Sequence, residues 1–143
     1  MITAKRAFIF TLLALCACSK HEANPPVTVS VNGHSLSVEL ATTASERKQG
    51  LKNRKNLAND HGMLLILKKP SDVCVWMEDT RIPLSAAFLD ERGTIINLAD
   101  MEPLNKTEHC SARPAKLILE VNRGWFDKSN IKPGMTVSGY PQI

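Results

Sequence analysis

Apolar and polar residues alternate at the start of the region that follows residue 26. The segment 27–31, VTVSV, carries valine at every second position, and the segment 36–40, LSVEL, repeats the alternation with leucine and valine. This period of two is typical of a strand that buries one face. Asn32-Gly33 lies between the two segments, and this dipeptide favours the two-residue turn of a β-hairpin. The pattern predicts a β-hairpin at the start of the folded region.

Short apolar runs continue along the rest of the chain, and turn residues separate them. The turn sequences are KPSD at 69–72, DERG at 90–93, NRG at 122–124 and KPG at 132–134. Such sequences end strands because they favour turn conformations. The pattern predicts one mainly-β domain over residues 27–143, an antiparallel sandwich or partly closed barrel. The predicted strands are 63–67, 73–77, 84–89, 94–98, 117–121 and 136–140.

One short helix interrupts this pattern of strands. Thr43 and Glu46 have the spacing of a capping box, in which the two side chains and backbone amides bond reciprocally at a helix start. Gly50 follows four residues later and favours a helix end. We expect one or two short helices in the domain, with the first near residues 44–49.

The first 17 residues resemble an export signal. Lys5 and Arg6 precede an apolar run over residues 7–17, which is shorter than the roughly 20 residues that a membrane-spanning helix needs. Leu15 and Ala17 before Cys18 resemble a bacterial lipobox, so we expect signal cleavage after residue 17 and lipid, including palmitate, on Cys18. The alternative is an ordinary cleaved signal with incidental cysteines.

The predicted anchor implies a location in the cell envelope. Residues 18–26 are polar and end in two prolines, so they predict the lipidated cysteine and a short tether. Ser19 follows the acceptor cysteine, and this resembles the sorting pattern for the outer membrane. We therefore expect a periplasmic domain that a lipid anchor holds at the outer membrane.

Two cysteines remain once the signal and the lipidated residue are set aside. Cys74 and Cys110 are an even pair in an oxidising compartment, which favours a disulfide. Two free buried thiols are an alternative. A metal site or a catalytic cysteine is another, but neither residue belongs to a short ligand spacing. We expect no metal and no cofactor.

Charge and composition narrow the classes of partner. The formal net charge is +4 for the whole chain, and two of the basic residues lie in the predicted signal. Lys48, Lys52, Arg54 and Lys55 form a basic cluster without an aromatic residue among them to stack on a base. The sequence therefore does not favour nucleic-acid binding, and we expect no nucleic-acid partner.

Several sequence blocks together resemble one family, over residues 36 to 139. They are ERKQGL at 46–51, GML at 62–64, WMEDT at 76–80, IPL at 82–84 and LEV at 119–121. The chain resembles the domain of unknown function 192 family, also called uncharacterised protein family 0127. The resemblance implies a mainly-β, jelly-roll-like domain and frequent export, and it implies no settled activity.

The chain departs from the family pattern at several positions. Lys52 stands where the family usually has Met, Leu65 and Leu67 stand where it favours Phe, and Ser85 stands where an Asp usually follows the Pro-Leu pair. If that Asp has a function in the family, this chain has lost it or has moved it to Asp79. Aliphatic residues in place of aromatic ones would reshape a pocket while keeping the core.

The candidate ligand pocket comprises Arg47, Arg54, Trp76, Asp79 and Thr80. Arginine grips carboxylates and phosphates with two parallel hydrogen bonds. The alternative for both arginines is a structural salt bridge, for example to Asp60, Asp79 or Glu120. Trp76 and Met77 are neighbours in a predicted strand, so their side chains point to opposite faces.

Three hypotheses for function follow, and no catalytic residue is assigned. The first is a non-enzymatic envelope protein that binds a small ligand or a partner protein in a groove bordered by Trp76, Thr80 and residues 47–54. The second is a hydrolase of envelope carbohydrate or peptide, with acid and base among Asp79, Glu120 and Asp100. The third is a structural or assembly lipoprotein without a pocket.

Overall fold

The structure, a computed structural model, describes residues 24–142. The predicted signal 1–17, the lipid acceptor Cys18 and most of the tether lie outside the described residues. No helix within 24–142 has the length and apolar character needed to cross a membrane.

A six-stranded sheet forms the centre of the domain, with the strand order β1-β2-β3-β8-β5-β6, and β4 pairs with β7 in a separate two-stranded sheet. The strands are β1 Val27–Val31, β2 His34–Ala41, β3 His61–Ser71, β4 Cys74–Val75, β5 Leu84–Leu89, β6 Ile95–Met101, β7 His109–Cys110 and β8 Ala115–Asn122; the helices are α1 Ala44–Gln49 and α2 Trp125–Lys128. The prediction of a mainly-β domain with short helices is confirmed, and the sheet does not close into a barrel.

Two local predictions hold in detail. β1 and β2 pair antiparallel from Val27 opposite Val38 to Val31 opposite His34, and Asn32 and Gly33 both have positive φ, as a tight hairpin turn requires. At α1, the Thr43 hydroxyl accepts from the Glu46 amide while the Glu46 carboxylate accepts from the Thr43 amide, so the capping box is formed.

One strand pair differs from the antiparallel expectation. β2 and β3 run parallel, with Ser37 opposite His61 and Ala41 opposite Leu65. A parallel pair needs a long connection that carries the chain back to the same end of the sheet. The segment 42–60, which contains α1, provides that connection, so the sheet is mixed.

Both faces of the sheet are buried, which explains why its central strands are almost continuously apolar. In β3, Leu64 and Ile66 join one core cluster, whereas Met63 and Leu65 join the other. Phe126, Ile131 and Val137 from the C-terminal segment pack in the first cluster. Leu51, Met77 and Ile82 from the connecting loops pack in the second.

Two predicted strands are shorter or absent. Residues 136–140 form no strand and pair only through isolated bridges, from Thr136 to Thr94 and from Ser138 to Ser30. Gly134 and Gly139 have positive φ at either end of this segment, so the backbone bends away from a continuous ladder. In the predicted strand 73–77, only Cys74-Val75 pairs.

Candidate functional site

A cleft of about 350 Å³ lies beside the second face of the sheet. Three parts of the chain line it: residues 47–52 from α1 and the turn after it, residues 73–78 with Thr80, and side chains from the central strands. The strand residues are Leu65 and Leu67 of β3, Leu84 of β5, and Ile118 and Glu120 of β8. Of the predicted pocket residues, Arg47, Trp76 and Thr80 line this cleft, whereas Arg54 and Asp79 do not.

Arg47 fixes the position of α1 at the cleft. Its Nη1 donates to the Thr42 carbonyl at 2.5 Å and to the Ile66 carbonyl at 3.0 Å. The guanidinium therefore ties the helix start to the end of the regular part of β3. Charge-assisted bonds of this kind are stronger than neutral ones, so this side chain has a structural task at the cleft wall.

Arg54 forms the structural salt bridge that the sequence offered as an alternative, but with Glu39, which was not among the example partners. Its Nη1 and Nη2 donate to the two carboxylate oxygens of Glu39, at 2.5 and 2.7 Å. The hydrogen bond from Arg54 is the main reason why the pKa of Glu39 lies below its usual value. Arg54 is thus a structural ion pair between the segment after α1 and β2, and it does not reach the cleft.

Trp76 and Met77 have opposite environments, as alternation predicts. Met77 is buried and packs in the core, and its amide donates to the Asn105 carbonyl. Trp76 is 46% exposed at the margin of the cleft. The chain turns directly afterwards, because the Thr80 amide donates to the Met77 carbonyl at 3.0 Å. This turn is held in place by bonds to residues 104 and 105, so the exposed indole has a defined backbone support.

Asp79 contributes to this turn through its backbone. Its φ is +61°, a conformation that Asp tolerates better than most residues. Its carbonyl accepts from the Asn53 amide at 2.8 Å, which joins the 76–80 turn to the segment after α1. The side chain is exposed, and Asp79 does not contribute to the cleft lining.

Glu120 is the functional candidate that the predicted pocket omitted. Leu119 and Val121 face the first core cluster and Ile118 the second, so Glu120 points with Ile118 into the cleft. The residue is 8% exposed, and burial raises the pKa of its carboxyl to about 7. Within residues 24–142 its side chain makes no hydrogen bond or ion pair. One charged residue inside the apolar run LILEV was the sequence signal for this site.

Comparisons with known proteins identify the family. The family model DUF192, described as "Uncharacterized ACR, COG1430", matches residues 27–139. The chain belongs to this family. No curated protein matches the chain.

Two solved structures of similar fold come from bacteria. A protein from Sinorhizobium meliloti 1021, named as a candidate transcription regulator, is 32% identical, with a TM-score of 0.79 over 82% of this chain and 95% of that one. A protein of unknown function from Novosphingobium aromaticivorans DSM 12444 is 34% identical, with a TM-score of 0.74 over 79% of this chain and 83% of that one.

The structure places three of the residues that depart from the DUF192 pattern: Leu65, Leu67 and Ser85. Leu65 and Leu67, which replace the expected Phe residues, both line the cleft, so their smaller side chains leave it wider. The Ser85 hydroxyl donates to Asp100 on β6 and accepts from the Gly124 amide at 3.0 Å. The carboxylate beside Ser85 in this DUF192 domain therefore comes from Asp100, whereas Asp79 is exposed and does not line the cleft.

The cysteine pair of the DUF192 domain closes the small sheet next to the cleft. Cys74 of β4 and Cys110 of β7 are cross-strand partners and form a disulfide, with Cα atoms 3.9 Å apart. Glu108 lies near both sulfur atoms, but sulfur in a disulfide is not the thiolate that binds a metal. The predicted disulfide is confirmed, and it supports residues 73–75 of the cleft wall.

Proposed function

We propose that this DUF192 protein is a non-enzymatic, lipid-anchored envelope protein that binds a small molecule in the cleft between α1 and the 73–80 segment. The lipid anchor is proposed from the lipobox at Leu15 to Cys18. Two or more acyl chains would hold the domain at a membrane stably, since a single chain anchors only marginally. The Pro-rich tether would leave the cleft accessible from the periplasm.

The observation that carries the binding proposal is an apolar cleft with an exposed indole at its margin. Small-molecule sites are concave, mostly apolar and about 300 to 1,000 Å³ in volume, and this cleft has about 350 Å³. Trp76 keeps 46% of its surface exposed there. A rigid aromatic side chain beside a cleft offers a large contact area to a ligand at little entropic cost.

The hydrolase alternative has weaker support. An acid and a base must flank the same bond, but Ser85 and its partner Asp100 face the first core cluster, whereas Glu120 faces the second. Asp79 does not line the cleft. Glu78 does, but Lys106 forms an ion pair with its carboxylate at 2.7 Å. The assembly-lipoprotein alternative needs no cleft and explains neither Trp76 nor the cavity.

A fragment screen by two-dimensional NMR tests the binding proposal. Fragments that bind should shift the indole N–H of Trp76 and the backbone amides of residues 73–80. Leu67→Phe places a larger side chain in the cleft, so we expect affinities to fall about tenfold, equivalent to about 1.4 kcal/mol. Leu104→Phe is the matched control, because Leu104 is 60% exposed and outside the cleft.

The result that contradicts the proposal is equally specific. Fragments would leave residues 73–80 unshifted, or Leu67→Phe and Leu104→Phe would bind them with the same affinity as the unaltered protein. Either outcome would transfer support to the assembly-lipoprotein alternative.

A further inference from the structure

We infer that the cleft accepts a ligand with a cationic nitrogen on an apolar body, and that the Glu120 carboxylate holds this nitrogen. The inference rests on the proposed function and adds the chemical class of the ligand. Its basis is the position of one unpaired acidic side chain in an otherwise apolar part of the cleft.

Glu120 is buried without the partner that a buried carboxyl normally has. Most buried polar groups in proteins are hydrogen-bonded, and those that are not require an explanation. Glu120 is 8% exposed, and no side chain or backbone group of residues 24–142 pairs with its carboxyl. No fully buried side-chain oxygen in this part of the chain lacks a partner, so the carboxyl oxygens of Glu120 are open to the cleft. Its side chain contributes to the cleft lining, so a molecule in the cleft can supply the missing partner.

The surroundings of Glu120 define the rest of the ligand. Leu65, Met77, Leu84 and Ile118 belong to the same core cluster and line the same cleft. These side chains offer no hydrogen bonds and favour an apolar body. Thr80 is the exception, since it is buried with a hydroxyl that can accept a second hydrogen bond from an ammonium group. Trp76 adds an aromatic face, which attracts cations.

None of the other charged side chains that line the cleft pairs with Glu120 in place of a ligand cation. Arg47 donates to two backbone carbonyls, Lys48 is exposed, Lys52 lies in the turn after α1, and Glu78 pairs with Lys106. None of these four affects the pKa of Glu120, which burial alone raises to about 7. An anionic ligand would meet a like charge whenever Glu120 is ionised, and a cation would neutralise it.

Proton linkage gives a signature for this pairing. The pKa of a primary ammonium is near 10, so the ligand stays charged between pH 6 and pH 8. With its pKa at about 7, Glu120 is mostly neutral at pH 6 and mostly ionised at pH 8. A ligand that requires the carboxylate should therefore bind about tenfold more tightly at pH 8 than at pH 6.

Three probes of matched size test the inference by isothermal titration calorimetry on the full exported domain. They are 2-phenylethylamine, 2-phenylethanol and phenylacetate, which are cationic, neutral and anionic. The amine should bind best at pH 8, and its affinity should fall about tenfold at pH 6. The affinity of the alcohol should be the same at both pH values. Glu120→Gln should lower the affinity for the amine by at least about tenfold and change the affinity for the alcohol by less than about threefold. Glu91→Gln is the control, because Glu91 is an exposed acid outside the cleft.

Each outcome decides between distinct explanations. The cationic assignment is overturned if the amine and the alcohol bind with equal affinity. It is also overturned if the amine binds Glu120→Gln as tightly as the unaltered protein. Either result leaves the proposed cleft function intact. Tighter binding of phenylacetate also overturns the cationic assignment. If no probe binds the unaltered protein, the cationic assignment falls, and the fragment screen decides the proposed function separately. If Glu120→Gln does not fold, the pH series on the unaltered protein still decides.

Discussion

At the scale of single residues, similar side chains in this domain have different tasks because their surroundings differ. Arg47 and Arg54 lie seven positions apart, yet one ties α1 to backbone carbonyls and the other pairs with Glu39. The hydrogen bond from Arg54 lowers the pKa of Glu39, whereas burial raises the pKa of Glu120 to about 7. Residue type alone therefore does not assign a role in ligand binding.

The raised pKa of Glu120 predicts a dependence of stability on pH. The unfolded carboxyl ionises near pH 4.5, and the folded one ionises at about 7. Between these values the folded state binds more protons, so the contribution of Glu120 to the free energy of unfolding falls as pH rises. A difference of this size corresponds to about 3 kcal/mol. Glu120→Gln should remove this decline, and urea unfolding at pH 4.5 and pH 7.5 measures it.

Glu91→Gln provides the comparison for that experiment. It removes the same formal charge from an exposed position, so it should keep the decline of the unaltered protein. A decline of equal size in Glu120→Gln would mean that other groups cause it and that Glu120 is ionised in the folded state across this range.

At the scale of secondary-structure elements, the sequence predicts features that depend on neighbouring residues. The Asn32-Gly33 hairpin and the Thr43–Glu46 capping box are local, and both form. The parallel pairing of β2 with β3 depends on the path of residues 42–60, which no short-range pattern encodes. The strand predicted at 136–140 has suitable residues, but the backbone at Gly139 bends instead.

The small sheet of β4 and β7 depends on its disulfide for stability more than any other part of the described fold. Its ladder contains two residue pairs, and the disulfide closes a loop with a sequence separation of 36. Cys74→Ser with Cys110→Ser should lower the free energy of unfolding by about 3 to 4 kcal/mol in the chain-entropy model. Urea unfolding of the oxidised protein and the double variant measures the difference.

A reducing agent supplies the control for the disulfide. It should destabilise the unaltered protein and leave the double variant unchanged. Alkylation of the denatured, unreduced protein should label neither Cys74 nor Cys110. Quantitative labelling of both, or equal stability of the two proteins, would contradict the bond.

At the scale of the whole molecule, the cleft results from packing between segments distant in sequence. Residues 47–52 and 73–80 reach the same face of the sheet, where β8 presents Glu120. The family blocks indicated that Arg47, Trp76 and Thr80 belong together, and these three line one cleft. The sequence offered Glu120 as a candidate acid or base, but it did not place Glu120 in this pocket, because that position depends on the depth at which β8 lies in the sheet. The same family blocks also placed Arg54 and Asp79 in the pocket, but Arg54 pairs with Glu39 and the Asp79 carbonyl accepts from the Asn53 amide.

The lipid anchor is the prediction that concerns the whole molecule in its cell. If Cys18 is the acceptor, intact mass of membrane-extracted protein should show a diacyl or triacyl addition on a chain that begins at residue 18. Cys18→Ala should abolish this mass and release the domain or leave the signal uncut. Cys16→Ala is the matched control, because Leu15 and Ala17 keep the lipobox spacing to Cys18. A soluble mature chain that begins elsewhere would contradict the lipid anchor, and an equal loss of the acylated mass in Cys16→Ala would contradict the assignment of Cys18 as the acceptor.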